Sequence, residues 1–405
     1  MSRVLIVGAG HAGATLAGLL RQAGHRGPVE LFGDEVDLPY HRPPLSKKFT
    51  GGELEQWLRP PEFYREQDIT VRLGEPVTTI DRDGCRVRTA SGEFHRYDHL
   101  VLATGAEPRA LPVPGADLAG VVSLRTLADA RMLRTCIDER RSLVIVGGGY
   151  IGLEVAAVAR SCGVEVTVVE REDRVLARVA SPRLSEILAA HHREQGTRIV
   201  TGAEVTRIDG AGGRARAVVL GDGTTIPSEA VLVGVGAVPR DRLAADAGLL
   251  CAQGVVVDEH ARTSDPRILA IGDVTRRPLA SGALVRLESI PSATEQARQA
   301  LATITGAAPV AAEVPWFWSD QFDLKLKIAG LVPATPSTVL RGDPATGRFA
   351  LFHHHGGTVT AVESANSPGE FMAGKKFIAS RARIDPDRLA DASVPLRDVV
   401  HQYGA

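Results

Sequence analysis

The chain has 405 residues, too many for one hydrophobic core, so two or three domains are expected. Lys plus Arg (47) nearly cancel Asp plus Glu (48), which excludes a globally basic nucleic-acid binder, and no apolar run approaches the roughly 20 residues needed to cross a bilayer. The cysteines, at 85, 136, 162 and 251, lie far apart, so no Cys-x-x-Cys or longer redox pair is encoded. They read as inert thiols of a reducing compartment. Because a strand begins directly after Met1-Ser2-Arg3, with no room for a leader, a soluble, cytoplasmic protein is expected.

In chain order, the first element is the apolar strand Val4-Leu5-Ile6-Val7, followed at once by Gly8-Ala9-Gly10-His11-Ala12-Gly13, a helix over 14–23 and a strand over 29–32. This βαβ plan suits a dinucleotide: glycines give the tight turn and close backbone approach, and the helix start offers free N–H groups to a pyrophosphate. Glu30, 22 residues after Gly8, is the acid expected to meet ribose hydroxyls. Asp37 to Lys47 follows, with three prolines in six residues that fix an extended path and project Arg42 and Lys47. A surface turn with solvated charges reads equally well there. The strand over 100–103 ends in Ala103-Thr104-Gly105, where glycine lets backbone approach a cofactor, and Leu-Pro-Val-Pro-Gly at 111–115 suits a linker.

The plan then repeats. Leu143-Val144-Ile145-Val146 leads into Gly147-Gly148-Gly149-Tyr150-Ile151-Gly152, a helix over 151–161 and a strand over 166–169. Glu170, 23 residues after Gly147, favours NADH over NADPH because a carboxylate repels a 2′-phosphate; Arg171 and Arg174 nearby weaken that preference and leave NADPH open. Residues 231–240, with Gly236, echo 100–109, which indicates an internal duplication and hence two nucleotide sites in one chain. Ile268-Leu269-Ala270-Ile271-Gly272-Asp273 is a further strand, expected to return to the first domain. At 289–296 a helix begins, either with Ser292 and Glu295 as a capping box or with Pro291 as its first residue. From about 313, Trp316, Trp318 and alternating stretches such as 358–362 indicate a small α+β tail, where core aromatics are the ordinary role of a tryptophan. His353-His354-His355 alternate faces on a strand and His191-His192 is weaker still, so no metal site is expected.

Pro-Tyr-His-Arg-Pro-Pro-Leu-Ser-Lys at 39–47 resembles the corresponding loop of the putidaredoxin-reductase-like, FAD-dependent ferredoxin reductases that serve bacterial cytochrome P-450 and ring-dioxygenase systems. Ala103-Thr104-Gly105, Gly149 to Glu154, Val175 to Val179, Ala270 to Asp273, Arg286 to Ser289 and Pro315-Trp316-Phe317-Trp318-Ser319-Asp320-Gln321 fit the same family in the same order. The resemblance implies an α/β fold of glutathione-reductase type: two Rossmann-like dinucleotide-binding domains and a small α+β C-terminal domain. FAD would occupy 1–110 and 240–313, NAD(H) 111–239, and residues 314–405 would line the flavin and the ferredoxin-docking side. It also implies FAD contacts from Gly8, Gly10, His11, Ala12, Gly13, Arg42, Lys47, Ala103, Thr104, Gly105, Gly272, Asp273, Glu288, Ser289, Ile290 and Trp318. NADH contacts would come from Gly147, Gly149, Tyr150, Ile151, Gly152, Glu170 and Gly236, and Glu154 would also bind cofactor.

Lys47 would sit near the reactive ring edge paired with Glu154, Asp273 would bind the ribityl chain, and Trp318 would line the flavin on the docking side. Lys47, Glu154 and Trp318 are thus the expected catalytic residues. The helix at 289–296 would aim its positive end at the flavin pyrimidine ring, although this chain has Ser292 where the family usually has Asn. NADH would reduce FAD, and a 2Fe-2S ferredoxin, docked transiently by electrostatics on a face including Lys325, Lys327, Lys375, Lys376 and Arg286, would take electrons singly. Scattered surface charge is the plain alternative for those five residues. Rival readings are a rubredoxin or monodehydroascorbate reductase, which share a cysteine-free 39–47 region, and a flavin-binding interaction module like apoptosis-inducing factor. A disulfide reductase is excluded because that region has no cysteine. No nucleic acid or membrane partner is expected.

Overall fold

The computed structural model describes residues 2–50, 54–138, 142–279, 282–333 and 337–400. Its contacts divide the chain into two units, one of Met1–Arg42, Glu55–Glu107 and Ala237–Glu313, the other of Pro43–Leu54, Pro108–Gly236 and Val314–Ala405.

The first unit is built on a five-stranded parallel sheet in the order Ile268–Ala270, His99–Leu102, Val4–Val7, Val29–Phe32, Ile69–Arg72. Four of these strands are short, nearly all apolar and buried, as expected where both faces of a parallel sheet are covered. Helices His11–Gln22 and Ile290–Thr305 pack on one face through Leu16, Ala17, Leu20, Ala297 and Ala300. Leu5, Val7, Phe32, Leu100 and Ile268 face a second core on the other side. A three-stranded antiparallel sheet, Val77–Asp81, Arg86–Thr89 and Phe94–Arg96, follows the edge strand in the chain.

The second unit repeats the plan with parallel strands in the order Arg198–Val200, Glu165–Val169, Ser142–Val146, Val231–Val233, Val121–Val122. In both sheets the strand that enters the glycine motif is the middle one. Its neighbours are the strand that closes the βαβ unit and the strand of the echoed segment, so the duplication is a duplication of topology. The tail adds a five-stranded antiparallel sheet, Trp316–Gln321, Leu324–Gly330, Thr358–Ala365, Arg348–His355, Ser337–Asp343, with helix Pro368–Ser380 packed against it. The α/β class with two parallel sheets and an α+β tail is as the sequence implied. Among the described residues no helix is long and apolar enough to cross a membrane.

Helix starts differ from expectation in one direction. The first begins at His11 rather than 14 and the second at Tyr150 rather than 151, because Gly10 and Gly149 themselves are the N-caps. The helix near 290 follows neither expected frame. Ser289 is its cap, accepting from Ser292 N at 3.3 Å, Pro291 is its second residue, and Glu295 pairs with Arg277 instead.

The tail's histidines do not simply alternate: a bulge falls between His353 and His354, and exposure rises from His353 through half-buried His354 to His355 at the strand end. His353 is fully buried, 2.8 Å from Glu363 Oε2, and Glu363 Oε1 accepts from Ser181 N at 2.9 Å, whereas His355 is exposed. His192 is also fully buried, its Nε2 3.0 Å from Gln321 Oε1. Burial is the main cause that pushes its pKa down to about 4, against the Gln321 hydrogen bond that raises it; His191 lowers it further. His192 is therefore neutral when folded and takes up a proton on unfolding below about pH 6.5. Its contribution to stability is complete above pH 6.5 and is lost as pH falls from there towards 4, with a slope of at most about 1.4 kcal/mol per pH unit. Urea titrations at a series of pH values are expected to show a shallower acid loss for His192→Gln than for wild type over that window.

Candidate functional site

In the first unit the glycine motif is shaped by collisions that only hydrogen avoids. Gly8 has φ +118°, and a Cβ there would lie 2.1 Å from Ala103 O; a Cβ on Gly13 would lie 2.1 Å from Gly8 O. Gly10 is the opposite case, with no heavy atom within 4 Å of its Cβ position. It caps helix His11–Gln22 with no side-chain bond and no acidic residue in the first turn, so the first N–H groups face open space. A bound pyrophosphate fits that cradle. Ala12 supports it from below, since a Cβ on Gly272 would lie 3.0 Å from the Ala12 methyl, and Asp273 follows Gly272 in a short 3-10 turn.

His11 stands at the mouth. Its Nε2 lies 3.2 Å from Thr294 Oγ1, and its Nδ1 is buried without a partner. Burial first, then neighbouring His41, push its pKa to about 4, opposed by Asp273, so the ring is a neutral donor or acceptor at pH 7. Thr104 Oγ1 donates to Arg240 O at 2.7 Å, and Gly105 O accepts from Arg240 N at 2.9 Å. Arg42 donates to Glu35 Oε1 at 2.7 Å, and the Tyr40 hydroxyl donates to Glu35 Oε2 at 2.6 Å. Glu35 was not read from the sequence. Its signal is an acid just before a proline-fixed loop that ends in a cation.

Glu30 is a correction. It lies inside its strand, opposite Leu5, and its buried carboxylate meets Arg3 at 3.2 Å, Arg72 at 3.3 Å and His95 Nδ1 at 3.4 Å. In the second unit Glu170 directly follows Val169, which pairs with Val146; the matching position here, after Phe32 opposite Val7, is Gly33. The first unit takes 25 residues from Gly8 to this position against 23 from Gly147 to Glu170, so counting from the glycines stopped inside the strand.

The second cradle has the same construction: a Cβ on Gly147 would lie 2.4 Å from Gly234 O, one on Gly152 would lie 2.5 Å from Gly147 O, and Gly149 is an open, uncapped N-cap. Ile151, the second residue of its helix, is 48% exposed at the rim. Glu170 Oε2 accepts from Gly148 N at 2.6 Å and Oε1 from Glu172 N at 2.9 Å, which holds the carboxylate beside the glycine turn. The two nearby arginines differ. Arg174 is committed to its own turn, donating to Ala177 O, Ala180 O and Ser185 Oγ, whereas exposed Arg171 pairs only with adjacent Glu172 among the described contacts. Gly236 has φ +110° and faces the Arg178 guanidinium at 3.5 Å from its Cβ position.

The second unit also holds a buried ion pair. The short helix Pro44–Lys47 delivers Lys47 Nζ to Glu154 Oε1 at 2.7 Å and Ser46 Oγ to Glu154 Oε2 at 2.5 Å. Ser319, from the tail strand, donates to Glu154 Oε1 at 2.6 Å. Glu154 is 3% exposed, so a carboxylate out of water has three donors from two other segments. Tyr150, one turn earlier on the same helix, has a buried hydroxyl without a partner; burial, then Glu363 and Glu154, push its pKa well above 10 and keep it protonated. Ser319 and Phe317 share the face that meets Glu154 and Tyr150. Trp318 takes the other face, its ring 5.9 Å from Trp316. The expected trio is thus a touching pair, Lys47 and Glu154, with Trp318 apart from it, and Ser46 and Ser319 are partners that sequence reading missed. Arg286 and Glu288 pair with each other, and Ser289 and Ile290 begin the capped helix described above.

Residues 2–297 match the family model "Pyridine nucleotide-disulphide oxidoreductase", and residues 316–400 match "Reductase C-terminal". A probable ferredoxin reductase, CtmF, from Castellaniella defragrans is 47% identical over 97% of this chain and 97% of the relative. The crystal structure of the ferredoxin reductase for the CYP199A2 system of Rhodopseudomonas palustris superposes with a TM-score of 0.95 at 42% identity, covering 99% of this chain and all of that one. The reductase in a covalent putidaredoxin reductase–putidaredoxin complex does so at 0.95 and 40% identity, covering 98% of both. The chain belongs to the putidaredoxin-reductase-like, FAD-dependent ferredoxin reductases of the pyridine nucleotide-disulphide oxidoreductase fold. The family implies FAD and NAD(P)H.

Removing Glu154 alone leaves a buried ammonium and two hydroxyls without their acceptor. Glu154→Leu is expected to cost about 3–5 kcal/mol in urea unfolding, and adding Lys47→Met to recover a large part of that loss, since the uncompensated charge dominates.

Proposed function

We propose that the protein passes electrons from NADH through FAD to a 2Fe-2S ferredoxin that feeds a cytochrome P-450 or ring-hydroxylating dioxygenase. The observation that carries this reading is the pair of open, uncapped glycine cradles in one chain whose 39–47 segment has no cysteine and whose four cysteines form no disulfide. Full-length kinship with ferredoxin reductases supports it. FAD, when bound, accepts two electrons together from a nicotinamide and releases them one at a time.

The chain's residues bind and tune. In the first unit the amides from Gly10 to Gly13 hold the FAD pyrophosphate, neutral His11 hydrogen-bonds beside it, and Asp273 accepts from the ribityl hydroxyls. Arg42, kept in place by Glu35, balances phosphate charge, and Ala103 to Gly105 let backbone close in. Helix Ile290–Thr305 contributes the positive end of a dipole, with Ser289 satisfying only one of its first amides. Lys47 favours negative charge on the reduced ring, and Glu154 orients that ammonium. In the second unit Gly147, Gly149, Tyr150, Ile151, Gly152 and Gly236 hold NADH, and Glu170 accepts from its adenine-side ribose. Arg174 is occupied by its own turn, which leaves Glu170 the stronger influence and favours NADH.

The ferredoxin side is the tail's cationic face, whose lysines lie over aromatic rings packed against the tail's core. Lys375 lies over the Trp316 ring at 5.6 Å and Lys327 over Phe371 at 5.5 Å, with Lys325 and Lys376 exposed and Trp318 beside Trp316. Arg286 pairs with Glu288.

The test is cytochrome c reduction with a panel of 2Fe-2S ferredoxins and rubredoxins, run with NADH and NADPH in parallel. A 2Fe-2S acceptor is expected to be preferred, and its rate to fall as salt rises. The NADH to NADPH ratio of kcat/KM is expected to exceed about tenfold and to shrink by about tenfold in Glu170→Ala. Exclusive use of rubredoxins, or turnover with no iron–sulfur acceptor, would overturn the reading.

A further inference from the structure

The carboxylates of Glu75 and Glu93 and the His95 imidazole converge in the first unit, each offering one ligand atom within 4.8 Å of the others. His95 is 8% exposed, and its Nε2 is buried with no hydrogen-bond partner. Glu93 Oε2 stands 3.5 Å from that nitrogen. The contact makes no hydrogen bond, but it is close to the separation of about 3.3 Å between two ligands on a tetrahedral ion with bonds of about 2.0 Å.

The far side of the ring completes the case. His95 Nδ1 faces Glu30 Oε2 at 3.4 Å, and Glu30 is anchored by Arg3 and Arg72. A carboxylate there places the proton on Nδ1 and leaves the Nε2 lone pair to a cation. The ring packs edge-on against Phe32 at 5.0 Å, which fixes its plane. Ser91 Oγ donates to Glu75 Oε1 at 3.0 Å, while Oε2 is 3.9 Å from Arg72 Nη1, whose own charge is matched by Glu30. The Glu93 side chain is 63% exposed and gives a path from solvent.

We propose that His95, Glu93 and Glu75 bind a late first-row divalent cation of Zn2+ type, with Glu30 as the positioning residue that orients His95. One nitrogen and two carboxylate donors with an open fourth position suit such an ion. This runs against the sequence expectation of no metal. It also gives Glu30 a purpose in place of the ribose contact it does not make. The three ligands come from the turn between strands Ile69–Arg72 and Val77–Asp81 and from the hairpin of Arg86–Thr89 and Phe94–Arg96, so the ion staples a hairpin to the sheet edge.

The test uses the flavin-loaded full chain, stripped of metal with a chelator and titrated with Zn2+ in competition with a chromophoric chelator. Wild type is expected to take up one equivalent that His95→Gln loses. Glu93→Gln, at an exposed position that does not endanger folding, is expected to bind it at least about tenfold more weakly, and Glu30→Gln, with all three ligands intact, also about tenfold more weakly. No binding by wild type overturns the proposal. So does binding unchanged in Glu93→Gln and His95→Gln, which would place the ion at other histidines such as His354 and His355.

Discussion

A carboxylate taken out of water organises the second unit. Glu154 is a liability without donors, and an isolated buried Lys47 is an equal one. Together, with Ser46 and Ser319, they form a closed set in which every charge has a partner. The energetic consequence is positional. The segment that carries Lys47 and the tail strand that carries Ser319 are both tied to helix Tyr150–Ser161, because any shift strands a charge in an apolar setting. The cation is thereby held at one point.

The two cradles show the same principle in steric form. In each, one glycine avoids a carbonyl from the neighbouring strand and another avoids the carbonyl of the first, so backbone packs on backbone and the helix start stays bare. Bare amides at two helix starts are the kind of seat an anion takes.

These collisions are local, which is why the glycine motifs, the duplication and the fold class were readable in the sequence. Glu170 stands directly after its strand, where the spacing says. Glu30 was misread because a spacing rule measures chain length, whereas function follows strand register, and the first unit's connection is two residues longer. Ser46 and Ser319 left no trace at all. A hydroxyl that donates to a carboxylate 165 positions earlier has no periodic or compositional signature. Ser289 displaced Ser292 as the helix cap because both frames satisfy the same local pattern, and only the path of the preceding chain decides between them.

The occupation of Arg174 bears on how readily this lineage changes its electron source. A guanidinium four residues after Glu170 looks like a ready-made receptor for a phosphorylated coenzyme. Its three bonds to the turn at 177–185 mean that it is structural mortar, and recruiting it would unravel the loop it supports. Any gain of a phosphorylated coenzyme would therefore fall to exposed Arg171, which pairs only with adjacent Glu172 among the described contacts, acting together with loss of the acid at Glu170.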